Sequence, residues 1–309
     1  MRKALKIFAV ALTVFAVLSL GAGYAVYYVV ISADSNKDIL FEADANRMDI
    51  NEDDRDELET VEVEYEERTI VSHDGLKLHS WMIPQGRDVF VIAVHGYTDN
   101  GRVAGMLCGG FYARGYSLLL PDLRGQGESE GEYIGFGWDD RLDIISWIDW
   151  LNREYDNPEI ILYGVSMGAS CVLMTSGENL PPNVKCIISD SAYTSVRDEF
   201  AYEAKTLMHL PYFPVLSAAD MFTRIFAGYS FEEADALSQT AESATPTLFI
   251  HGTEDTFVPV DNMYKLYDAC SAQKAYYAAE GSSHCMAQFD DFERYWTEVF
   301  DFTDRYLKG

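Results

Sequence analysis

The stretch EIILYGVSMG, residues 159–168, decides the predicted fold. Its first half is a short apolar run, as expected for a strand buried on both faces of a parallel sheet. Its second half has the spacing G-x-S-x-G around Ser166, and a helical stretch rich in small residues follows it. A strand, a tight turn and a helix in this order hold a serine exposed above the end of a sheet, and only very small residues fit beside it. The stretch therefore predicts a nucleophilic serine at the end of a buried strand.

Apolar runs on both sides of this stretch alternate with helical patterns. Residues 61–84 show period-two alternation around a turn, which predicts two or three antiparallel strands. Runs that predict buried strands occupy residues 89–96, 117–122, 159–164, 184–190 and 247–252, with 274–281 a weaker case. The clearest helix is 138–155, where apolar residues recur at three-residue steps. This alternation predicts an α/β fold with a mostly parallel sheet covered by helices on both faces.

Two further residues complete a predicted catalytic triad. A serine hydroxyl is a poor nucleophile until a base takes its proton. His284 is the expected base, because it lies just past the last strand-like run and before a final helix. Asp255, directly after a buried strand, is expected to orient the imidazole, with Glu254 as its rival. Ser166, Asp255 and His284 would then all lie at carboxyl ends of strands, where α/β sheets place their sites.

Two backbone N–H groups are expected to stabilise the oxyanion of a tetrahedral intermediate. One belongs to Met167, the residue after the nucleophile. The other is assigned to Tyr97, in the loop His95-Gly96-Tyr97-Thr98 after the first central strand. His95 is expected to hold this loop by packing and hydrogen bonding rather than to act as a second catalytic histidine.

Five motifs together resemble the α/β-hydrolase superfamily, from about residue 61 to the end. They are HGYTDN (95–100), DLRGQGES (122–129), GVSMG (164–168), HGTEDTFVP (251–259) and GSSH (281–284). More narrowly, the chain is similar to membrane-anchored or exported bacterial hydrolases grouped with serine-aminopeptidase-like, Bem46-like and cinnamoyl-esterase-like families. The resemblance implies a sheet of about eight strands and no metal or organic cofactor. It also implies a triad of Ser166, His284 and Asp255.

The charge and apolar pattern of the first 33 residues predicts a membrane anchor. Three basic residues within positions 2–6 precede an uncharged run over 7–33, which is long enough to span a bilayer core of roughly 30 Å. Tyrosines near the far end of the run favour the interface. A cleaved signal peptide is the alternative, since residues 21–25 include small residues that suit a protease site, but the run is longer than a typical signal core. The basic flank predicts a cytoplasmic N-terminus and an extracytoplasmic body, secreted if the segment is cleaved.

The rest of the chain divides into an acidic linker (34–60) and a hydrolase domain (61–309). The formal net charge is −27, from 23 Lys and Arg against 50 Asp and Glu, which disfavours nucleic acid as a partner. Five widely spaced cysteines form no zinc pattern and are expected to be mostly free, buried thiols. The expected partners are therefore a small acyl-ester substrate and, through the anchor, the membrane.

An insertion at about 196–243 interrupts the strand–helix alternation and is expected to form a helical cap over the site. It is rich in aromatic and other large apolar residues, which favours carboxylic esters if they line an acyl pocket; the candidates are Phe200, Met208, Phe213 and Phe222. A peptidase or amidase and a thioesterase on the same triad remain alternatives, as does a non-catalytic binding protein. An acidic patch in the cap that captures a free amino terminus would favour the peptidase, and the sequence does not locate one.

Overall fold

The computed structural model describes residues 2–37, 64–206 and 212–308. Its centre is an eight-stranded sheet in the order β1-β2-β4-β3-β5-β6-β7-β8. The strands are β1 (Glu66–Val71), β2 (Lys77–Ile83), β3 (Val89–Val94), β4 (Ser117–Pro121), β5 (Glu159–Val165), β6 (Val184–Asp190), β7 (Thr247–Gly252) and β8 (Lys274–Ala279). The strand β2 pairs antiparallel with β1 and β4, and the pairings from β4 to β8 are parallel. The predicted α/β fold with a mostly parallel sheet is confirmed.

One helix precedes this sheet in the chain, and others cover both of its faces. They are α1 (Arg2–Val26), α2 (Gly101–Met106), α3 (Gly109–Ala113), α4 (Asp140–Glu154), α5 (Met167–Ser176), α6 (Val196–Thr206), α7 (Val215–Phe226), α8 (Ala236–Glu242), α9 (Asp261–Ala269), α10 (Ala287–Asp290) and α11 (Phe292–Thr303). One apolar cluster joins the sheet to α4, α5 and α9, and the cluster on the other face joins it to α2, α3 and α11. The two clusters place a core on each side of the sheet, as its near-continuous apolar strands require.

The chain between β6 and β7 contains the three helices α6, α7 and α8. This segment corresponds to the insertion expected at about 196–243. Residues 207–211, which include the candidate Met208, lie outside the described part of the chain. Most of the expected acidic linker over 34–60 also lies outside it.

The end of the apolar N-terminal segment is built into the folded domain. Helix α1 continues into a π-helical turn, Tyr27–Ile31, and Ile31 is completely buried. Ser32 then forms an antiparallel bridge with Tyr133, and the Ala33 N–H donates to the Glu132 carbonyl at 3.0 Å. The segment expected to be an anchor therefore contributes to the core as well.

Candidate active site

Ser166 lies at the sharp turn between β5 and α5. Its φ of 55° and ψ of −119° are in a region that residues other than glycine rarely adopt. A Cβ added at Gly164 would lie 2.2 Å from the Gly168 carbonyl oxygen, and one added at Gly168 would lie 2.1 Å from that of Val94. Both glycines are therefore required by the close approach of the backbone, and the strained turn presents the Ser166 hydroxyl at the end of the sheet.

The structure brings the three predicted triad residues into one hydrogen-bonded chain. His284 follows β8, and its Nε2 lies 2.9 Å from the Ser166 Oγ. Its Nδ1 lies 2.7 Å from Asp255 Oδ2. Since the carboxylate can only accept, Nδ1 carries the proton and Nε2 is left to accept one from the serine.

Asp255, in the loop after β7, is held by two N–H groups of its own loop and by two histidines. The N–H groups of Phe257 and Val258 donate to Oδ1 at 2.9 and 2.8 Å, and His251 and His284 contact Oδ2. Burial alone would raise the pKa of Asp255, but the hydrogen bonds from the two histidines outweigh it and lower the pKa to about 2. The carboxylate is therefore ionised at neutral pH. Its sequence rival Glu254 is exposed to solvent.

His251 is a residue that the sequence reasoning missed. Its Nε2 lies 2.7 Å from the Val258 carbonyl oxygen and 3.1 Å from Asp255 Oδ2. The imidazole thus fixes the loop that carries the acid, and it adds a second donor to Asp255. Its place four residues before an aspartate in His251-Gly252-Thr253-Glu254-Asp255 was the available signal.

The loop after β3 is fixed by His95. Its Nε2 accepts from the Leu123 N–H at 3.0 Å, so Nδ1 carries the proton and donates to the Gly96 carbonyl at 2.7 Å. Burial lowers the pKa of His95, which keeps the ring neutral as both bonds require. The 122–129 loop also holds the loop after β3, because Gln126 Oε1 accepts a hydrogen bond from the Thr98 N–H at 2.8 Å. His95 therefore holds the loop, as expected from the sequence.

Of the two predicted oxyanion donors, one follows the nucleophile in the chain and the other belongs to a loop beside it. Met167 is the first residue of α5, so its N–H has no acceptor within the helix. Gly96, the neighbour of Tyr97, lies close to Ser166, since an added Cβ there would be 3.7 Å from the serine Cβ. The Tyr97 hydroxyl donates to the Val30 carbonyl at 2.7 Å. The loop that carries Tyr97 is thus fastened to the end of the N-terminal apolar segment.

The described cap candidates have different surroundings. The Phe200 ring packs against Phe136 and Phe231, with centroids 5.0 and 4.9 Å apart. Phe222 packs against Tyr24 of α1 at 5.3 Å, and Phe213 is 70% exposed. Phe200 and Phe222 therefore both have a packing role.

A buried acid in the cap was not singled out from the sequence. Glu199 in α6 is buried, and its Oε1 has no hydrogen-bond partner among the described residues. Burial, followed by the charges of Glu203 and Asp255, raises the pKa of Glu199 well above its usual range. The Tyr202 hydroxyl donates to the Thr256 carbonyl at 2.9 Å and places α6 against the loop of the acid. In sequence, Glu199 and Glu203 look like an ordinary solvated helix face.

One group of side chains within the described residues could geometrically hold a metal ion: His73, Asp74 and Asp143. The guanidinium of Arg124 donates to Asp143 at 2.8 Å and to Asp74 at 3.1 Å. Because this cation already pairs with both carboxylates, they form an ion-pair network that fastens the turn after β1 to α4.

Residues 52–227, more than half of the chain, match the family model of X-Pro dipeptidyl-peptidases (S15 family). The chain belongs to the S15 family of α/β hydrolases. This S15 hydrolase is 26% identical over 298 residues to the uncharacterised protein YqkD of Bacillus subtilis, covering 96% of each chain. It is also 26% identical to the uncharacterised membrane protein YNL320W of Saccharomyces cerevisiae, over 78% of this chain and 80% of the relative. The solved esterase Pf2001 of Pyrococcus furiosus matches with a TM-score of 0.66 and 25% identity, over 82% of this chain and 94% of that one.

These likenesses agree with the sequence resemblance to the α/β hydrolases. By its family and its fold, this chain is an enzyme of the serine hydrolase class.

Proposed function

We propose that this S15 hydrolase cleaves carboxylic esters through a triad of Ser166, His284 and Asp255. The observation that carries the proposal is the chain of hydrogen bonds from Ser166 Oγ to His284 at 2.9 Å and from His284 to Asp255 at 2.7 Å. The likeness to the Pyrococcus furiosus esterase supports an ester as the substrate.

In the acylation step the Ser166 Oγ attacks the ester carbonyl carbon while its proton passes to His284 Nε2. The carbonyl oxygen becomes an oxyanion, to which we assign the N–H groups of Met167 and Tyr97 as donors. The intermediate collapses, the bond to the alcohol breaks, and His284 returns its proton to the leaving oxygen. Asp255 stabilises the imidazolium during both transfers.

In the deacylation step a water molecule takes the place of the alcohol. His284 Nε2 accepts a proton from the water as its oxygen attacks the acyl carbon. The second oxyanion uses the same two donors, and collapse releases the carboxylic acid with the proton returned to Ser166. Water is the only co-reactant that the cycle requires.

The full chain, purified in detergent, tests this proposal on a series of p-nitrophenyl esters of increasing acyl length. We expect release of p-nitrophenol by the wild type and loss of it in Ser166→Ala, with the same melting temperature. The acyl length of the best substrate then gives the size of the pocket. A Ser166→Ala variant that hydrolyses the esters as fast as the wild type would overturn the triad.

A peptidase is the second candidate, because a buried carboxyl group lies next to the proposed triad. Glu199 is a buried carboxyl next to the loop of Asp255, with one oxygen lacking a partner among the described residues, and the matching family model is that of X-Pro dipeptidyl-peptidases. Such a carboxylate could receive the free amino group of a peptide. Cleavage of alanyl-prolyl-p-nitroanilide that exceeds cleavage of every ester, and that falls in Glu199→Gln, would favour the peptidase.

We also infer that the enzyme is anchored in a membrane by α1, with an extracytoplasmic body. The helical stretch Arg2–Ile31 is long and apolar enough to span a bilayer. Three basic residues lie at its first end, whereas Lys37 is the one basic residue within ten positions of its second end. Gly23 is buried against α7, so cleavage near it would remove part of an interface. Protease added to spheroplasts should digest the body of the enzyme. A body that stays protected would contradict this orientation.

A further inference from the structure

The last turns of α1 are packed tightly against the cap helix α7. A Cβ added at Gly23 would lie 2.3 Å from Ala218 Cβ and 2.8 Å from the Ala219 backbone nitrogen. Beyond this point the rings of Tyr24 and Phe222 meet at 5.3 Å, and those of Tyr27 and Phe226 at 5.3 Å. Small residues that let two backbones approach closely, as here, are typical of helix pairs inside membranes.

The depth of this contact follows from the length of α1. About 20 residues at 1.5 Å per residue cross the hydrocarbon core, so a span that begins after Lys6 ends close to Val26. Gly23 would then lie roughly 5 Å inside the boundary. Because Gly23 meets Ala218 and the later Tyr27 meets the later Phe226, the two helices run in broadly the same direction. The first turn of α7 would therefore lie deeper than Ala218.

The outer face of α7 has the composition expected for contact with lipid. Large apolar side chains exposed on this face and just before the helix are Phe213, Met221 and Ile225, whereas Phe226 packs against Tyr27. The charged residues Asp220 and Arg224 pair with each other at 3.0 Å, and Asp220 also accepts from the Phe231 N–H. An exposed apolar face beside a membrane span is typical of a surface that contacts lipid.

We propose that α7 is embedded beside α1 in the leaflet where α1 ends, and that the ester substrate is an acyl lipid of that leaflet. The proposal of a lipid substrate rests on the proposed ester hydrolysis. Two contacts connect the end of the span to the nucleophile. The Val30 carbonyl, in the π turn, accepts a hydrogen bond from the Tyr97 hydroxyl. Gly96, the neighbour of Tyr97, lies against Ser166. The nucleophile is thus one loop away from the bilayer boundary.

Labelling at two matched positions tests the docking surface without requiring activity. Ile225→Cys on α7 and Phe292→Cys on α11 replace side chains that are 62% and 59% exposed. Helix α11 packs on the opposite face of the sheet from α1, and the five native cysteines are all buried, so an environment-sensitive maleimide dye reacts at the introduced thiol. The labelled full chains are reconstituted in phosphatidylcholine vesicles that contain a spin-labelled lipid quencher.

We expect the dye at 225 to emit at shorter wavelength and to lose fluorescence to the quencher, and the dye at 292 to do neither. Equal behaviour of the two positions, with no quenching at 225, would overturn the docking surface.

Hydrolysis in the same vesicles tests the lipid substrate. The probes are 4-methylumbelliferyl oleate, which partitions into the bilayer, and 4-methylumbelliferyl acetate, which reaches the enzyme from water. A charge placed on a lipid-facing position is disfavoured, so Ile225→Glu should lower hydrolysis of the oleate about tenfold and leave that of the acetate unchanged. An equal loss on both probes, or none on either, would overturn the lipid route. A wild type that does not hydrolyse the oleate overturns the lipid substrate, and one that also hydrolyses none of the p-nitrophenyl esters overturns ester hydrolysis itself, while the quenching experiment still decides the docking surface.

Discussion

At the scale of single residues, the two acids after β7 have different environments. Asp255 receives four hydrogen-bond donors and is buried, whereas its neighbour Glu254 is exposed. We predict that Asp255→Asn lowers kcat/KM for a p-nitrophenyl ester roughly 10³- to 10⁴-fold, because an amide leaves the imidazole in the wrong tautomer. Glu254→Gln is the matched control and should change kcat/KM less than about twofold. Equal losses of kcat/KM in the two variants would contradict the assignment of Asp255, rather than Glu254, as the carboxylate that orients His284.

The buried Glu199 gives a prediction about pH. Its pKa is raised in the folded chain, so the folded state keeps a proton that the unfolded state loses above the ordinary value of about 4.3. Folding stability contributed by this group therefore falls as the pH rises from there towards the raised pKa. Glu199→Gln has no such proton, so its melting temperature should match that of the wild type near pH 4 and exceed it at pH 8. Melting curves in detergent that show the same difference at both pH values would contradict the assignment.

The juxtaposition of Ser166, His284 and Asp255 could be predicted from the sequence because each follows a recognisable buried strand. The surroundings of the acid could not. His251 contacts Asp255 because the loop after β7 folds back on itself, and the four-residue spacing between them is compatible with that turn but does not specify it. Glu199 was missed for another reason: its burial depends on the packing of α6 against the loop that contains Thr256.

At the scale of elements, the contact between α1 and α7 depends on one glycine. Gly21 and Gly23 lie in the same helix, and only the second has heavy atoms within 4 Å of an added Cβ. Alanine favours a helix over glycine by about 1 kcal/mol, so Gly21→Ala should be neutral or stabilising. Gly23→Ala gains the same propensity but forces the helices apart at Ala218, and we predict a lower melting temperature for the full chain in detergent. A Gly23→Ala variant as stable as Gly21→Ala would show that the two helices are not in contact.

The strands of the sheet could be predicted closely, since buried parallel strands leave continuous apolar runs bounded by turns. The helical insertion was predicted as well. Its contact with the N-terminal helix could not be, because nearly 200 residues separate Gly23 from Ala218 and both segments are apolar for reasons that a membrane alone would explain. In the sequence, only the small residues present in both helices indicate this contact.

At the scale of the whole molecule, the N-terminal segment that we propose as an anchor is also a part of the domain. Ile31 is completely buried, and the backbone of residues 31–33 bonds to that of residues 132–134. We predict that a chain starting at residue 34 melts at a lower temperature in detergent than one starting at residue 19, which keeps these contacts and those of Gly23. The shorter chain should also have a lower kcat, since Tyr97 loses its acceptor at Val30. Identical melting and kcat of the two chains would mean that the segment is only a tether.

The proposed mechanism requires Ser166 to be an activated nucleophile, and covalent labelling tests this requirement. The full-length enzyme in detergent is treated with a fluorophosphonate, which reacts with a serine hydroxyl only when a base activates it. The modified residue is then located by peptide mass spectrometry. We predict a single adduct on Ser166 in the wild type, none in Ser166→Ala, and little in His284→Ala, with the melting temperatures unchanged. A folded wild-type enzyme that gives no adduct, or an adduct on another serine that persists in Ser166→Ala, would contradict the proposed mechanism.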